Sequence, residues 1–262
     1  MRVVEGVLRG RAALITGVSR RNGIGFAIAD RLASLGAGLL AHSFAPFDHE
    51  QPWGGDPDGA GFILAQLRRH GTRVEHLESD FRSARAPAET MAAAVAAFGH
   101  VDILILNHAY GTRQAFQDLT ADEIDRHLAV NVRASLLMVQ EFARQHDGRP
   151  GGRVILLTSG QHLGPMPHEI AYVASKGALH QVTASLSDVL IARGITVNTV
   201  NPGPTDTGYA GPEDHAEVVR RMPLGRWGQP DDAARLIAWL VGDEAQWVTG
   251  QVINSEGGFR RD

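Results

Sequence analysis

Three side chains within residues 159–176 have types and spacing suited to moving a proton: Ser159, Tyr172 and Lys176. Residues 171–193 read as a helix, so Tyr172 and Lys176, four apart, project from one face and share one pocket. A free phenol ionises near pH ~10, and an ammonium beside it favours the phenolate. At ~4 Å and an effective dielectric of ~20 that attraction is about 4 kcal/mol, which lowers the pKa by at most about three units. Such a phenol gives a proton to a carbonyl, or takes one from an alcohol, near neutral pH. Ser159 follows an apolar run, 154–157, that reads as a buried strand. Its hydroxyl then sits at a strand's carboxyl end, where open α/β sheets bind ligands, and is placed to bond a substrate oxygen. By itself Tyr-x-x-x-Lys is common on solvated helix faces, so its meaning depends on what positions it.

The rest of the chain supplies a frame. Residues 12–16 are an apolar strand, followed at once by Gly17-Val-Ser-Arg-Arg-Asn-Gly23-Ile-Gly25 and an apolar-periodic helix over 24–35. Strand, glycine turn and helix start together suit a diphosphate: glycine admits close backbone approach, and the helix end supplies free N–H groups. The Gly-x-Gly-x-x-Gly spacing itself is not matched. A strand over 38–42 precedes a stretch rich in Pro, Gly and Asp, residues 44–60, read as an inserted surface loop in which Asp56-Pro-Asp58-Gly59 is a turn rather than a calcium loop. Helix 62–70, strand 73–78, helix 87–98 and strand 103–107 follow. A long helix over 121–145 contains Asn131 within an apolar stretch, either a satisfied buried amide at a kink or a site group. Strands at 153–157, 196–200 and 251–254 and a helix at 231–240 complete the alternation. This pattern predicts a single α/β domain: a doubly wound, Rossmann-type parallel sheet of about seven strands with helices on both faces. The segment 209–227, with an amphipathic piece at 213–221, reads as either a substrate lid or a plain surface connection.

The bulk numbers narrow the partners. A net charge of −4 gives no general pull toward nucleic acid or an anionic membrane, which leaves small molecules. With no cysteine, disulfides and thiolate chemistry are excluded, and no apolar run is long enough to span a bilayer. The opening residues 1–11 lack a secretory apolar core, so a cytoplasmic location is expected. Twelve histidines show no His-Glu-x-x-His spacing, and no metal site is expected. His162 and His168, between Ser159 and Tyr172, together with Tyr209, are the candidates for substrate contact.

Taken in order, these pieces resemble the short-chain dehydrogenase/reductase family over nearly the whole chain. Thr16-Gly17 with Gly23-x-Gly25 resembles its cofactor turn, Asp80 stands where its adenine-contacting aspartate does, and Asn107-His108-Ala109-Tyr110 resembles Asn-Asn-Ala-Gly. Asn131, Ser159, Tyr172 and Lys176 match its catalytic tetrad. The stretch Asn201-Pro202-Gly203-Pro204-Thr205-Asp206-Thr207 resembles the loop that holds the nicotinamide amide, and Thr249-Gly-Gln with Glu256-Gly-Gly258 the usual C-terminus. The resemblance implies hydride transfer between a nicotinamide cofactor and a carbonyl or carbinol carbon. It makes Tyr172 the acid/base and Ser159 the holder of the substrate oxygen. Lys176 lowers the phenol's pKa and holds the nicotinamide ribose, and Asn131 holds a water that relays protons to Lys176. It also implies cofactor contacts from Ser19, Ile24, His42 and Phe81, and a homotetramer. The branch most similar is the 3-oxoacyl-carrier-protein reductases, whose substrate is a carrier-bound acyl chain. Two departures stand out. The glycine turn has five residues between Gly17 and Gly23, as in enoyl-reductase-like members, and His108 and Tyr110 replace an asparagine and a glycine. A catalytically silent, cofactor-binding regulatory protein is the alternative from another class, against which the intact tetrad stands.

The cofactor itself is legible in part. NAD-preferring folds place an acid about 20 residues after the glycine turn to hold the ribose 2′-hydroxyl. Here His42-Ser43 occupies that place, and the first acid beyond is Asp48. Ser43, Arg20 and Arg21 are therefore expected to meet a 2′-phosphate, favouring NADP(H), with NAD(H) possible.

Overall fold

The computed structural model describes residues 6–261, so the first five residues of the opening stretch lie outside it. Seven strands form one sheet: β1 (Ala12–Ile15), β2 (Gly38–Ser43), β3 (Val74–Glu78), β4 (Ile103–Leu106), β5 (Gly152–Leu157), β6 (Ile195–Asn201) and β7 (Val252–Asn254). Their order is β3-β2-β1-β4-β5-β6-β7, and every pairing is parallel. The direction of winding reverses between β1 and β4, which opens a crevice at their carboxyl ends.

Side chains alternate across the sheet and build two cores. Ala13 and Ile15 of β1 join Ile105 and Ile155 under α1 (Ile24–Ser34), α3 (Gly59–Arg68) and α9 (Pro230–Val241). Leu14, Leu104, Val154 and Leu156 point the other way, under α4 (Ala86–Phe98), α6 (Ala134–Gln145) and α7 (Ile170–Ile191). The doubly wound sheet with both faces covered is as the alternation of elements specifies. Among the described residues no helix is long and apolar enough to cross a membrane.

Two expectations are corrected. The helix read over 121–145 is interrupted: α5 (Ala121–His127) passes through a widened π turn, Leu128–Arg133, before α6. The cause is local bonding around Asn131. Its side chain bonds the backbone of Tyr110, and its carbonyl accepts from the Ser135 hydroxyl at 2.7 Å. The stretch 44–60 is more than a surface loop. It begins with the short helix α2 (Ala45–His49), buries Asp48, and wraps the glycine turn, because its acids answer the turn's two arginines. The Asp56–Asp58 turn is present, closed by Asp58 N–H donating to Asp56 Oδ1 at 3.1 Å.

Candidate active site

At the carboxyl end of β1 the chain turns through Gly17 (φ +74°), and α1 begins at Ile24 after Gly23 with neither a side-chain cap nor an acid in its first turn. Its positive end is therefore bare toward the crevice. A Cβ on Gly25 would collide with the Gly17 carbonyl oxygen and stand 2.6 Å from Asn107 Nδ2, so only glycine lets helix, turn and β4 meet. Thr16 ties the same point: its hydroxyl accepts from the N–H groups of Asn107 (3.0 Å) and His108 (3.2 Å). Asn107 Nδ2 donates to the carbonyls of Thr16 and Gly17, each at 3.1 Å. The result is a cleft of about 330 Å³.

Most of the residues expected at a cofactor line it: Gly17, Ser19, Arg20, Gly23, Ile24, His42, Asp80, Phe81, Asn107, His108, Ala109 and Thr207. His42 lies flat on Phe81, ring centres 4.1 Å apart, and Nε2 bonds the Ser79 carbonyl at 2.9 Å. Burial pushes His42 down to about 4 and His108 to about 3, so both are neutral struts beneath the cleft. His108 fills the asparagine's place by bonding Thr16 Oγ1 (2.7 Å) and the Val130 carbonyl (3.0 Å). Tyr110 turns its ring to His127 and Phe47 and its hydroxyl to Glu123. The bare helix end, the two crowded glycines and the flat walls fit a dinucleotide.

The expected anchors for a 2′-phosphate are arranged differently. Ser43 is buried, 1% exposed, with its hydroxyl 2.8 Å from His76 Nε2, and does not line the cleft. Arg21 is drawn outward by Asp56 (2.9 Å) and Asp58 (2.6 Å). Arg20 does line the cleft, but its Nε is 3.3 Å from Asp48 and its Nη1 donates to the Thr207 carbonyl. Asp48, carried in by the insertion, also accepts from Ser19 Oγ and Trp53 Nε1. Nothing in the sequence placed Asp48 at the glycine turn, since the contact spans the insertion. Trp53, an aromatic in a polar stretch, was the available signal.

Beyond the cleft, α7 brings Tyr172 and Lys176 to one mouth with Ser159, two residues past β5. Lys176 is buried, its Nζ donating to the Leu157 carbonyl at 2.8 Å and standing 5.7 Å from the Tyr172 ring centre. Burial lowers its pKa to about 8. Burial raises the Tyr172 phenol well above its ordinary value, Glu169 and Tyr209 add to the rise, and a hydrogen bond with Ser159 opposes it. The depressed phenol expected from the Tyr–Lys pair is therefore not set up by these protein groups alone. Desolvation outweighs an ammonium whose hydrogen bond goes to the Leu157 carbonyl. Asn131 is fully buried, and both N–H groups of its amide are engaged: Oδ1 accepts from Tyr110 N–H (2.7 Å), and Nδ2 donates to Tyr110 O and Ser175 Oγ, each at 2.8 Å. The side chain braces the β4 loop against α7, and the group it leaves for a water is the second lone pair of Oδ1. Gly111 leaves room beside Tyr172, where a Cβ would come within 3.2 Å of the ring.

This arrangement now meets its relatives. A family described as enoyl-(acyl carrier protein) reductase matches residues 17–260. "Uncharacterized oxidoreductase YjdA" of Bacillus subtilis is 43% identical over 96% of this chain and 97% of its own length. The chain belongs to the short-chain dehydrogenase/reductase family. A Burkholderia cenocepacia short-chain dehydrogenase solved in complex with NADP superposes with a TM-score of 0.85 at 34% identity, over 96% of this chain and 98% of that one. A Serratia marcescens short-chain dehydrogenase/reductase gives 0.84 at 34% identity, over 96% and 99%. The chain is thus a short-chain oxidoreductase whose fold and family bind a nicotinamide cofactor.

The remaining expected site residues lie in the loops around the mouth. Pro202, Gly203 and Thr205 follow β6 outside the cleft lining, braced by Thr205 Oγ1 to the carbonyls of Pro202 and Gly203. Tyr209 faces Trp53 at 6.4 Å and Trp227 at 5.9 Å, so the segment after β6 meets the insertion over the glycine turn. His162 stacks on His180 at 4.5 Å, and the His168 carbonyl accepts from Gln114 N–H. Glu169, drawn 3.9 Å from Arg113, was missed; an acid three residues before the tyrosine was the only sign of it.

Proposed function

We propose that this chain is a cytoplasmic ketoreductase, acting as an NADP(H)-preferring enzyme of the 3-oxoacyl-reductase-like kind on a small or carrier-bound carbonyl compound. The observation that carries the reading is the meeting of Ser159, Tyr172 and buried Lys176 on elements joined, through Asn131, to the β4 loop that lines the dinucleotide cleft. The cofactor, when bound, supplies the hydride from its nicotinamide ring. The Ser159 hydroxyl holds the carbonyl oxygen, and the Tyr172 phenol, kept protonated by its surroundings, donates the proton as that oxygen gains charge. Lys176 keeps positive charge under the phenol and toward the ribose. An enoyl-reductase-like activity is the second reading, favoured by the long glycine turn and the matched family's description.

Tyr172→Phe is expected to lower turnover by about 10²–10⁴ while cofactor affinity stays within a few-fold, measured by loss of nicotinamide absorbance across a ketone panel and by cofactor titration. Retention of more than about a tenth of the activity would sink the assignment. Lys176→Ala should damage both rate and cofactor affinity.

Charge at Lys176 exists only below its lowered pKa. With that value near 8, the ammonium is present at neutral pH and lost above. Tyr172, shifted the opposite way, keeps its proton across the same window. Reductive kcat/KM is expected to fall as pH rises through about 8. A rate that climbed through that range would point to a different acid.

The cofactor preference rests on the acid-free end of β2, on Arg20 and Arg82 in the cleft, and on the NADP bound by the Burkholderia relative. Asp48 in the cleft favours a second reading, NAD(H), because it neutralises Arg20. NADPH is expected to give the higher kcat/KM, and Asp48→Asn to widen its lead about tenfold by freeing Arg20. Equal or better turnover with NADH in the unmodified protein would decide for NAD(H).

Homotetramer assembly is supported by the apolar groups left exposed on α7 and α9: Val189 (70% exposed), Ile191 and Trp239, with Trp247 nearby in sequence. Light scattering at micromolar protein should return four times the chain mass of 28.2 kDa, and a monomer mass would reject the assembly.

A further inference from the structure

The loop between Ser159 and Tyr172 must present the serine hydroxyl and shape the substrate mouth, and it carries two glycines, Gly160 and Gly164, that contribute no side chains at those positions. What lies in the space of both absent Cβ atoms is one side chain, Arg261, from the far end of the chain. A Cβ on Gly160 would collide with its Nη2, and one on Gly164 would stand 2.5 Å from its Cδ and 3.2 Å from its Cβ. The aliphatic stem therefore lies along the loop backbone, with the guanidinium over Gly160.

That guanidinium is fixed from the other side. Nη1 and Nη2 donate to the two carboxylate oxygens of Glu256 at 2.9 and 2.6 Å, a two-pronged pair in which the arginine side chain is 20% and the glutamate 12% exposed. Glu256 is itself held by Asn201 Nδ2 at 2.9 Å, at the end of β6. Asn201 Oδ1 accepts from Gly203 N–H at 3.0 Å, and a Cβ on Gly203 (φ +66°) would collide with that of Glu256. The neighbouring Arg260 N–H donates to the Arg221 carbonyl, at the last residue of α8 (Pro212–Arg221). One chain of contacts thus joins the loop after β6, the C-terminal tail and the loop of the catalytic serine.

We propose that Arg261 is a positioning residue for the substrate loop: clamped by Glu256, it fixes Gly160–Gly164 and so sets the place of the Ser159 hydroxyl relative to Tyr172. An exposed ion pair would contribute little, but this one is partly buried and two-pronged, and its stem replaces the side chains the loop lacks. The consequence for function rests on the ketoreductase reading, whereas the consequence for the loop does not.

The test compares the unmodified protein with Arg261→Ala, Arg261→Lys and Glu256→Gln in the full chain. Amide hydrogen exchange over residues 159–169 with NADPH present should speed at least about tenfold in Arg261→Ala and Glu256→Gln. KM for the best ketone of the panel should rise about tenfold with kcat within about threefold. In the Arg261 variants, melting temperature and NADPH affinity should stay close to those of the unmodified protein. Lysine, which cannot span both carboxylate oxygens, should recover little, and ethylguanidinium added to Arg261→Ala should restore part of the KM. Unchanged exchange over 159–169 would overturn the clamp whether or not any ketone is reduced. Faster exchange with KM unmoved would overturn its effect on substrate placement, and lack of turnover by the unmodified protein would overturn the ketoreductase reading alone.

Discussion

Everything in the site depends on how closely three backbones approach one another at the carboxyl end of β1. The glycine turn, the first turn of α1 and the loop after β4 meet where Gly25 has no room for a Cβ and Asn107 reaches the carbonyls of Thr16 and Gly17. The contact leaves the N-terminus of α1 uncapped and aimed into the crevice, where its unpaired N–H groups can serve a diphosphate. It also fixes the β4 loop, from which Tyr110 reaches Asn131 and, through it, Ser175 on α7. The cleft and the helix that carries Tyr172 and Lys176 are thereby two ends of one hydrogen-bonded frame.

The buried polar groups of this frame are satisfied almost entirely by neutral partners. His42 and His108 are held uncharged by burial, each bonding a backbone carbonyl, and they meet Phe81 in two ways, His42 stacked on its face and His108 edge-on. A charged group here would repel the buried Lys176, whose Nζ is held by the Leu157 carbonyl. Histidine in the family asparagine's place bonds Thr16 Oγ1 and the Val130 carbonyl and adds an aromatic ring to the floor of the cleft.

Much of this was legible in the residues because it is governed by local rules. Alternating apolar strands and periodic helices fixed the seven-stranded order of elements, and Tyr172 to Lys176 is a helical interval whatever surrounds it. What escaped are contacts made over long intervals of sequence by segments with no periodicity. The stretch 44–60 looked like a polar loop because nothing local says that Asp48 will turn inward to Arg20, or that Trp53 will reach Tyr209. The role of Asn131 was open for a related reason: whether a buried amide holds water or backbone depends on partners at positions 110 and 175. The phenol's pKa was misjudged because spacing gives a distance along the helix but not the desolvation at its end.

The insertion changes the electrostatics of the adenosine end more than its length suggests. Arg20 and Arg21 would otherwise place two positive charges on a short turn, repelling each other. Asp48, Asp56 and Asp58 divide them: Arg21 is pulled away from the cleft by the buried Asp56 and the exposed Asp58, while Arg20 stays inward, shielded, with its guanidinium carbon 5.6 Å from the Trp53 ring centre. Arg20 also holds the Thr207 carbonyl, so a guanidinium that lines the cleft anchors the segment leading to Tyr209 at the mouth. A ligand group that competes for Arg20 must therefore disturb Asp48, Thr207 or both. Through that one guanidinium the insertion, at Asp48, and the segment after β6, at Thr207, share a partner across the glycine turn.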